Sequence, residues 1–554
     1  MNLSDLFRRF AGPAVPILAC GLCVALFRSF SSGIDYHAII HAARATPREL
    51  VWTSILFTAL SYFALIARDD CALVYIGAKV AAAPLLLASC CGSALGNAIG
   101  YGPLTGEAVR DRVYGAAGLR PEQIDRVMLF IDAGFGLGLA AFIAATAMLS
   151  GPALAGLLGL PAALVRLPAA MLLLATLGLI VLGVRHQGPF AFAGVPLSMP
   201  SPRIALVQQM VTGCDLTAAA LALRVLLPAS GIDFFSFAAI FSTATALGNI
   251  SRVPGGVGIF ETVVYLGLAR YMPHNQLAAA LLIYRGVYFL LPPMLAGAAL
   301  AGFELRSDAV VRGGSILPGA DLLAPIFLSV ITFSIGVMLI LSGATPAVDW
   351  RLAALQGVLP LWAVEISHLL ATLAGVFLLF VSRGLYHRLD GAWWLALLLA
   401  LVNVGFSLTK GLAFGETAAI LFLLFLLLAT RRQFTRPAAF LRRPFTIGWF
   451  IAITAVIAAA IGIMLFAFRD VAYRREIWWQ FEFDAQASRA MRALLGASLL
   501  AVGISLWQLM RTASGRIELP SARQLASAAS IVRGQERSAA LLALMGDKSF
   551  LFSR

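Results

Sequence analysis

Lysine is nearly missing from this chain: among 554 residues it occurs only at Lys79, Lys410 and Lys548. Charge of either sign is scarce, at 12% of residues, where soluble domains carry about 25%. The net charge of +14 is therefore carried almost wholly by arginine. In a soluble protein that balance suggests nucleic acid. In a chain that is 60% hydrophobic it reads instead as basic loops that set membrane topology and meet anionic headgroups. There is no phosphate-binding loop, no activated serine or cysteine nucleophile motif, no zinc signature and no nucleotide-binding domain to drive transport by ATP. No metal or other cofactor is called for. Cys20, Cys23, Cys71, Cys90, Cys91 and Cys214 lack metal-ligand spacing with histidine and read as buried or lipid-facing thiols. No small-residue cleavage site follows the first apolar stretch, so 12–27 reads as a retained span.

What is present is apolar runs of spanning length from end to end, the pattern of an all-α, polytopic integral membrane protein. Candidate spans lie near 12–28, 50–67, 80–100, 124–149, 168–185, 203–228, 233–250, 257–270 and 277–303. Others lie near 321–343, 358–382, 391–409, 411–430, 446–468 and 490–511. With 233–250 and 257–270 taken as halves of one broken element, the expectation is about 14 transmembrane helices. A glycine-rich loop at 311–320 separates a first block, 1–303, from a second, 321–511, and a polar tail, 512–554, follows. Arg431, Arg432, Arg436, Arg442 and Arg443 form a loop with no acid, which assigns it to the cytoplasm. Two spans follow that loop, so the tail is expected on the same side, and Arg8 and Arg9 put the N-terminus there as well. The loop 469–489, of mixed charge and containing Trp478 and Trp479, suits the outer interface.

The first block holds most of the intramembrane charge and the irregular segments. Arg252-Val253-Pro254-Gly255-Gly256-Val257-Gly258-Ile259-Phe260-Glu261 puts three glycines, a proline and a carboxylate in a long apolar region. Hydrocarbon tolerates irregular backbone only where protein or a wet cavity surrounds it, and an ionisable group at that depth marks a pathway or binding site. Asn249 precedes the segment. In Asn97 to Arg112, Gly100, Gly102, Pro103 and Gly106 prevent a simple helix. Thr105 is placed to cap a short helix with Glu107 in its first turn and Arg110 three residues later on the same face. Such a broken or re-entrant helix aims amide dipoles at an anionic headgroup; an ordinary interfacial loop is the plain alternative. Asp132, Asp215, Arg224 and Arg285 are isolated charges within spans, and Arg68, Asp69 and Asp70 end the second span. Arginine forks suit phosphate and carboxylates suit ammonium groups, so the set fits a zwitterionic or cationic phospholipid. Structural ion pairs, including Glu261 with an arginine, are the competing reading.

The second block offers Glu365 and His368, i,i+3 on one helix, with Lys410 and Glu416. Nothing supplies further metal ligands, so Glu365 and His368 read as a hydrogen-bonded pair. His37 and His41 lie in an amphipathic segment and read as interface residues.

Three segments resemble one known family. Pro254-Gly255-Gly256-Val257-Gly258-Ile259-Phe260-Glu261 is similar to the signature of lysyl-phosphatidylglycerol synthase transmembrane regions, and Gly96-Asn97 through Gly106-Glu107 with Arg110 resembles its companion motif. The tail Leu544-Met545-Gly546-Asp547-Lys548-Ser549-Phe550-Leu551-Phe552-Ser553 is similar to the entry into that family's cytoplasmic synthase domain. Together they resemble the multiple peptide resistance factor family, the bifunctional phosphatidylglycerol lysyltransferases and lysyl-phosphatidylglycerol flippases of bacteria. The resemblance implies a cytoplasmic domain that transfers an amino acid from aminoacyl-tRNA to phosphatidylglycerol. It also implies a membrane portion that moves the product to the outer leaflet, lowering sensitivity to cationic antimicrobial peptides, and homodimers in the bacterial inner membrane. Because the sequence stops at Arg554, where the synthase domain would begin, the expectation is the flippase portion, from a truncated or split protein, with aminoacyl-tRNA a partner only of the missing domain.

The residues expected to meet the lipid headgroup are Arg68, Asp69, Asn97, Thr105, Glu107, Arg110, Asp132, Asp215, Asn249, Arg252, Gly255, Gly256, Gly258, Glu261 and Arg285; no catalytic residue is assigned. Two other functions compete. A membrane-embedded transferase would need a paired acid and base and a donor site. An ion-coupled solute transporter often repeats its broken helix in both halves, and the second block has no counterpart of the glycine motif.

Overall fold

The computed structural model describes residues 36–99, 106–150, 155, 161–185, 190–192, 195–197, 200–228, 231–251, 254–307, 320–345, 359–410, 413–434, 447–468, 486–510, 525–526, 528–529 and 532. The described chain is helical. In the first block the helices are α1 (Tyr36–Ala45), α2 (Arg48–Tyr75), α3 (Ala82–Ile99), α4 (Gly106–Ala116), α5 (Pro121–Leu149), α6 (Ala162–Arg185), α7 (Pro202–Arg224), α8 (Phe234–Ile250), α9 (Ile259–Leu268), α10 (His274–Tyr284) and α11 (Leu291–Ser307). The second block holds α12 (Ala320–Ala344), α13 (Leu361–Tyr386), α14 (Asp390–Thr409), α15 (Phe414–Ala429), α16 (Ile447–Ala467) and α17 (Gln486–Met510). One antiparallel pairing of three-residue strands, β1 (Phe190–Phe192) with β2 (Val195–Leu197), is the small departure from an all-helical chain. The span expected near 12–28 lies outside the described residues.

Eight helices among the described residues are long and apolar enough to cross a membrane. Six shorter apolar helices, of 10–17 residues, accompany them. At 1.5 Å per residue, a ten-residue helix covers about 15 Å of a hydrocarbon core about 30 Å thick. Eight full-length and six shorter apolar helices among the described residues do not by themselves establish the expected count of about 14 transmembrane helices. The stretch read as one broken element is indeed broken: α8 ends at Ile250, a tight turn occupies Pro254–Gly256, and α9 starts at Ile259.

Burial within α2 is inverted relative to a soluble protein. Its inward stripe is Ser54, Thr58, Ser61, Leu65, Arg68, Asp69 and Ala72. Trp52 (70% exposed) and Phe63 (71% exposed) project outward. Nothing is gained by hiding an apolar side chain from lipid, so small and polar residues take the helix interfaces. Small residues fix the spacing elsewhere too: a Cβ on Gly138 of α5 would lie 2.5 Å from Thr212 Cγ2 of α7. Ser54 Oγ donates to the Ala222 carbonyl at 2.7 Å, tying α2 to α7. At the centre of the second block, α12 packs on α11, α13, α15, α16 and α17. Its Leu323, Ile326, Phe327 and Val330 also join the core of α2 to α5.

Candidate headgroup site

The first block holds a cavity of about 310 Å³ lined from α2, α3, α4, α5, α7, α8, α9, α10, the Arg285–Leu290 segment and the Pro254–Gly256 turn. That is space for about ten waters, the scale of a polar headgroup and not of acyl chains. Two close approaches shape it. A Cβ on Gly106 would lie 2.1 Å from the Gly92 carbonyl oxygen, so α3 and α4 meet only because both residues are glycine. Gly255, Gly256 and Gly258 have φ of 60°, 61° and 86°. These are left-handed conformations that side chains other than glycine rarely adopt, and a Cβ on Gly256 would sit 3.1 Å from the Gly248 Cα.

Nine of the residues expected at the site line the cavity: Arg68, Asn97, Glu107, Arg110, Asp132, Asp215, Asn249, Gly255 and Gly256. Glu107 and Asp132 are exposed, which makes their side the mouth. Arg68 and Asp215 are buried and form the inner end. The Arg68 guanidinium lies 5.5 Å over the Phe135 ring, and its Nε has no hydrogen-bond partner in the described structure.

The remaining expected residues support the lining. Asp69, fully buried, accepts from Arg110 Nε at 2.8 Å and Nη2 at 3.0 Å and from the Tyr114 hydroxyl at 3.0 Å. Ser93 accepts from the same Arg110 Nη2 at 3.2 Å. Asp69 therefore holds Arg110 from behind. Glu261 accepts from the Gly258 amide at 2.7 Å and pairs with Arg285, which also donates to the Gly255 carbonyl. Glu261 and Arg285 thus pair with each other and clamp the glycine turn from its rim. Thr105 and Arg252 lie outside the described residues. Arg224 is elsewhere, donating to the Ile232 carbonyl at 3.4 Å.

Two residues at the inner end were not anticipated. Ser61 Oγ donates to Asp215 Oδ1 and lies 2.9 Å from the Tyr288 hydroxyl. The signal for Ser61 was the polar stripe along α2, at helical spacing from Ser54 to Arg68. Tyr288 sits in a π-helical segment, Arg285–Leu290, between α10 and α11. The single span expected near 277–303 is present as one continuous helix from His274 to Ala299, with wider winding at this segment. Pro292 and Pro293 cannot donate to the carbonyls of the preceding turn, which favours the wider winding.

In the second block the expected Glu365–His368 pair is not formed. Glu365 accepts from Arg492 Nη2 at 2.7 Å and Arg489 Nε at 3.2 Å, since a carboxylate gains more from charged forks than from a neutral imidazole. Lys410 pairs with Glu416 at 2.7 Å. Among the described residues no three His, Cys, Asp or Glu side chains are grouped to hold a metal ion.

No family model matches the chain. It is 30% identical over 261 residues to the uncharacterized protein slr0712 of Synechocystis sp., a match covering 46% of this chain and 81% of that protein. Shorter segments are 38% identical to the phosphatidylglycerol lysyltransferase of Staphylococcus xylosus, over 103 residues, and to that of Staphylococcus aureus, over 79. Those segments cover 18% and 14% of this chain but only 12% and 9% of the lysyltransferases. Extended similarity to the first protein, partial similarity to the others and a membrane-type helical architecture converge: the chain belongs to the family of the Synechocystis protein slr0712 and shares a segment with phosphatidylglycerol lysyltransferases.

Proposed function

We propose that the chain translocates an aminoacylated phosphatidylglycerol, with lysyl-phosphatidylglycerol the reference substrate, from the inner to the outer leaflet. The observation that carries this reading is the mixed-charge cavity among membrane-type helices, walled by glycine breaks. Headgroups are polar and cannot cross hydrocarbon unaided. Arg68 and Arg110 meet the phosphate, because a planar fork matches its oxygens. Glu107 and Asp132 attract the ammonium groups at the mouth, and Asp215 receives one at depth. The acyl chains stay in lipid. In this reading the protein resides in a bacterial inner membrane with both termini cytoplasmic, forms homodimers, meets aminoacyl-tRNA only through a synthase domain, and lowers sensitivity to cationic peptides. The segment shared with lysyltransferases supports the choice of lipid.

The test is outer-leaflet amine labelling in cells that supply lysyl-phosphatidylglycerol. Asp132→Asn, on an exposed residue, removes a charge-assisted contact worth about 1.5–3 kcal/mol and lowers labelling about tenfold or more. Labelling equal to wild type, with the variant inserted and folded, contradicts the assignment. A second reading, amino-acid transfer, rests on the relatives' name. Lysyl-phosphatidylglycerol formed by the purified chain from lysyl-tRNA and phosphatidylglycerol would decide for it.

A further inference from the structure

The inner carboxylate differs from the others. Asp215 is 5% exposed, whereas Asp69, Glu261, Glu365 and Glu416 each have a cation in ion-pair contact. Among the described residues no cation forms an ion pair with Asp215. Its partner is a hydroxyl, Ser61, which reaches a second hydroxyl, Tyr288. Arg68 shares the inner end with it but makes no ion-pair contact, and burying a carboxylate that lacks such contact is costly. The groups facing it are Tyr62 and Arg68 from α2, Tyr284 and Tyr288 from α10 and the π segment, and Asp132 across the cavity. Packed against α7 as well, α8 carries no ionisable side chain, and α6 carries only Arg166 and Arg185.

We propose that Asp215 exchanges a proton for the ammonium group of the lipid, so that the chain works as a proton–aminoacyl-phospholipid antiporter. The inference rests on the translocator reading. In the empty cavity Asp215 holds a proton. When the headgroup enters, its phosphodiester contributes one negative charge and its two amines, of reference pKa about 8 and about 10.4, two positive ones. The carboxyl O–H breaks, its proton leaves along Ser61 and Tyr288 or through the wet cavity, and the carboxylate pairs with the ammonium. One positive charge replaces another, so the cavity carries the same net charge loaded and empty. Tyr288 belongs to the π segment that Arg285 ties to the glycine turn. Rearrangement of that turn therefore also shifts the segment that carries Tyr288.

The experiment uses the full chain in vesicles of phosphatidylcholine, phosphatidylglycerol and synthetic lysyl-phosphatidylglycerol. An impermeant amine reagent reads the outer lysyl lipid, and a trapped dye reads internal pH. Between about pH 6 and 7 both amines stay charged. At one-for-one exchange a gradient of one pH unit sets up a lipid asymmetry of up to about tenfold, and a protonophore abolishes it. Lipid moving outward carries protons inward. Ser61→Ala slows both fluxes in parallel, and Asp215→Asn, which holds no exchangeable carboxyl proton, shows no proton flux. Lipid movement that ignores the pH gradient and shifts no protons overturns the antiport while leaving the translocator standing. Absence of any lipid movement in wild type overturns both.

Discussion

At the scale of single residues, the charges at the site divide by what stands behind them. Arg110 presents to the cavity because Asp69, Tyr114 and Ser93 hold it. Asp69→Ala leaves a buried guanidinium unpaired and should cost about 3–5 kcal/mol. Tyr114→Phe removes one hydrogen bond and should cost about 1 kcal/mol. Thermal unfolding in detergent checks both; equal, small losses would mean that Asp69 does not anchor Arg110. The charged members of this set were legible in the sequence because a charge in an apolar span needs a reason. Ser61 and Tyr288 were not. Serine and threonine in helices bond their own preceding turn, as Thr58 does to the Ser54 carbonyl at 2.9 Å, so a hydroxyl that instead joins two helices looks the same in sequence. Glu261 was legible as a special residue, but its role in clamping the turn depends on Arg285, 24 residues away.

At the scale of elements, glycine decides how closely the cavity walls approach. Gly106→Ala places a Cβ 2.1 Å from a backbone oxygen, where no flexible side chain can give way. It should push α4 from α3, displace Arg110 and reduce translocation more than stability. Gly255→Ala forces a left-handed conformation costing about 1–2 kcal/mol and should lower stability and translocation together. Gly178→Ala in α6, where a Cβ meets nothing within 4 Å, is the control and should leave both unchanged. Outer-leaflet labelling alongside unfolding temperature separates these outcomes. The helix break at the glycine turn and the short helix starting at Gly106 were readable because proline and glycine punctuate backbone locally. The π segment was not, because hydropathy over 277–303 is continuous and the winding there answers to packing and to the prolines that follow.

At the scale of the whole molecule, the sequence indicated a helical membrane protein correctly from apolar run length alone. The number of full crossings was not readable the same way. A ten-residue helix such as α9 is apolar yet too short to cross singly, and hydropathy does not distinguish a half-crossing from a whole one. The second block is closely knit by the same small-residue logic: a Cβ on Gly336 would lie 2.8 Å from the Gly375 carbonyl oxygen. Gly336→Leu should therefore loosen α12 from α13 and destabilise the protein while leaving lysyl-phosphatidylglycerol affinity per folded molecule unchanged. Ligand binding normalised to the folded fraction reads this, and an affinity loss would bring the second block into the site.

An experimental structure of the chain in lipid nanodiscs containing lysyl-phosphatidylglycerol tests the central claim most directly. The account predicts headgroup density inside the cavity, with phosphate against Arg68 and Arg110, amines toward Asp132 and Asp215, and acyl chains leaving through the mouth. A cavity closed to lipid, with Arg68 joined to Asp215 in a sealed pair and density only at the outer surface, would contradict it.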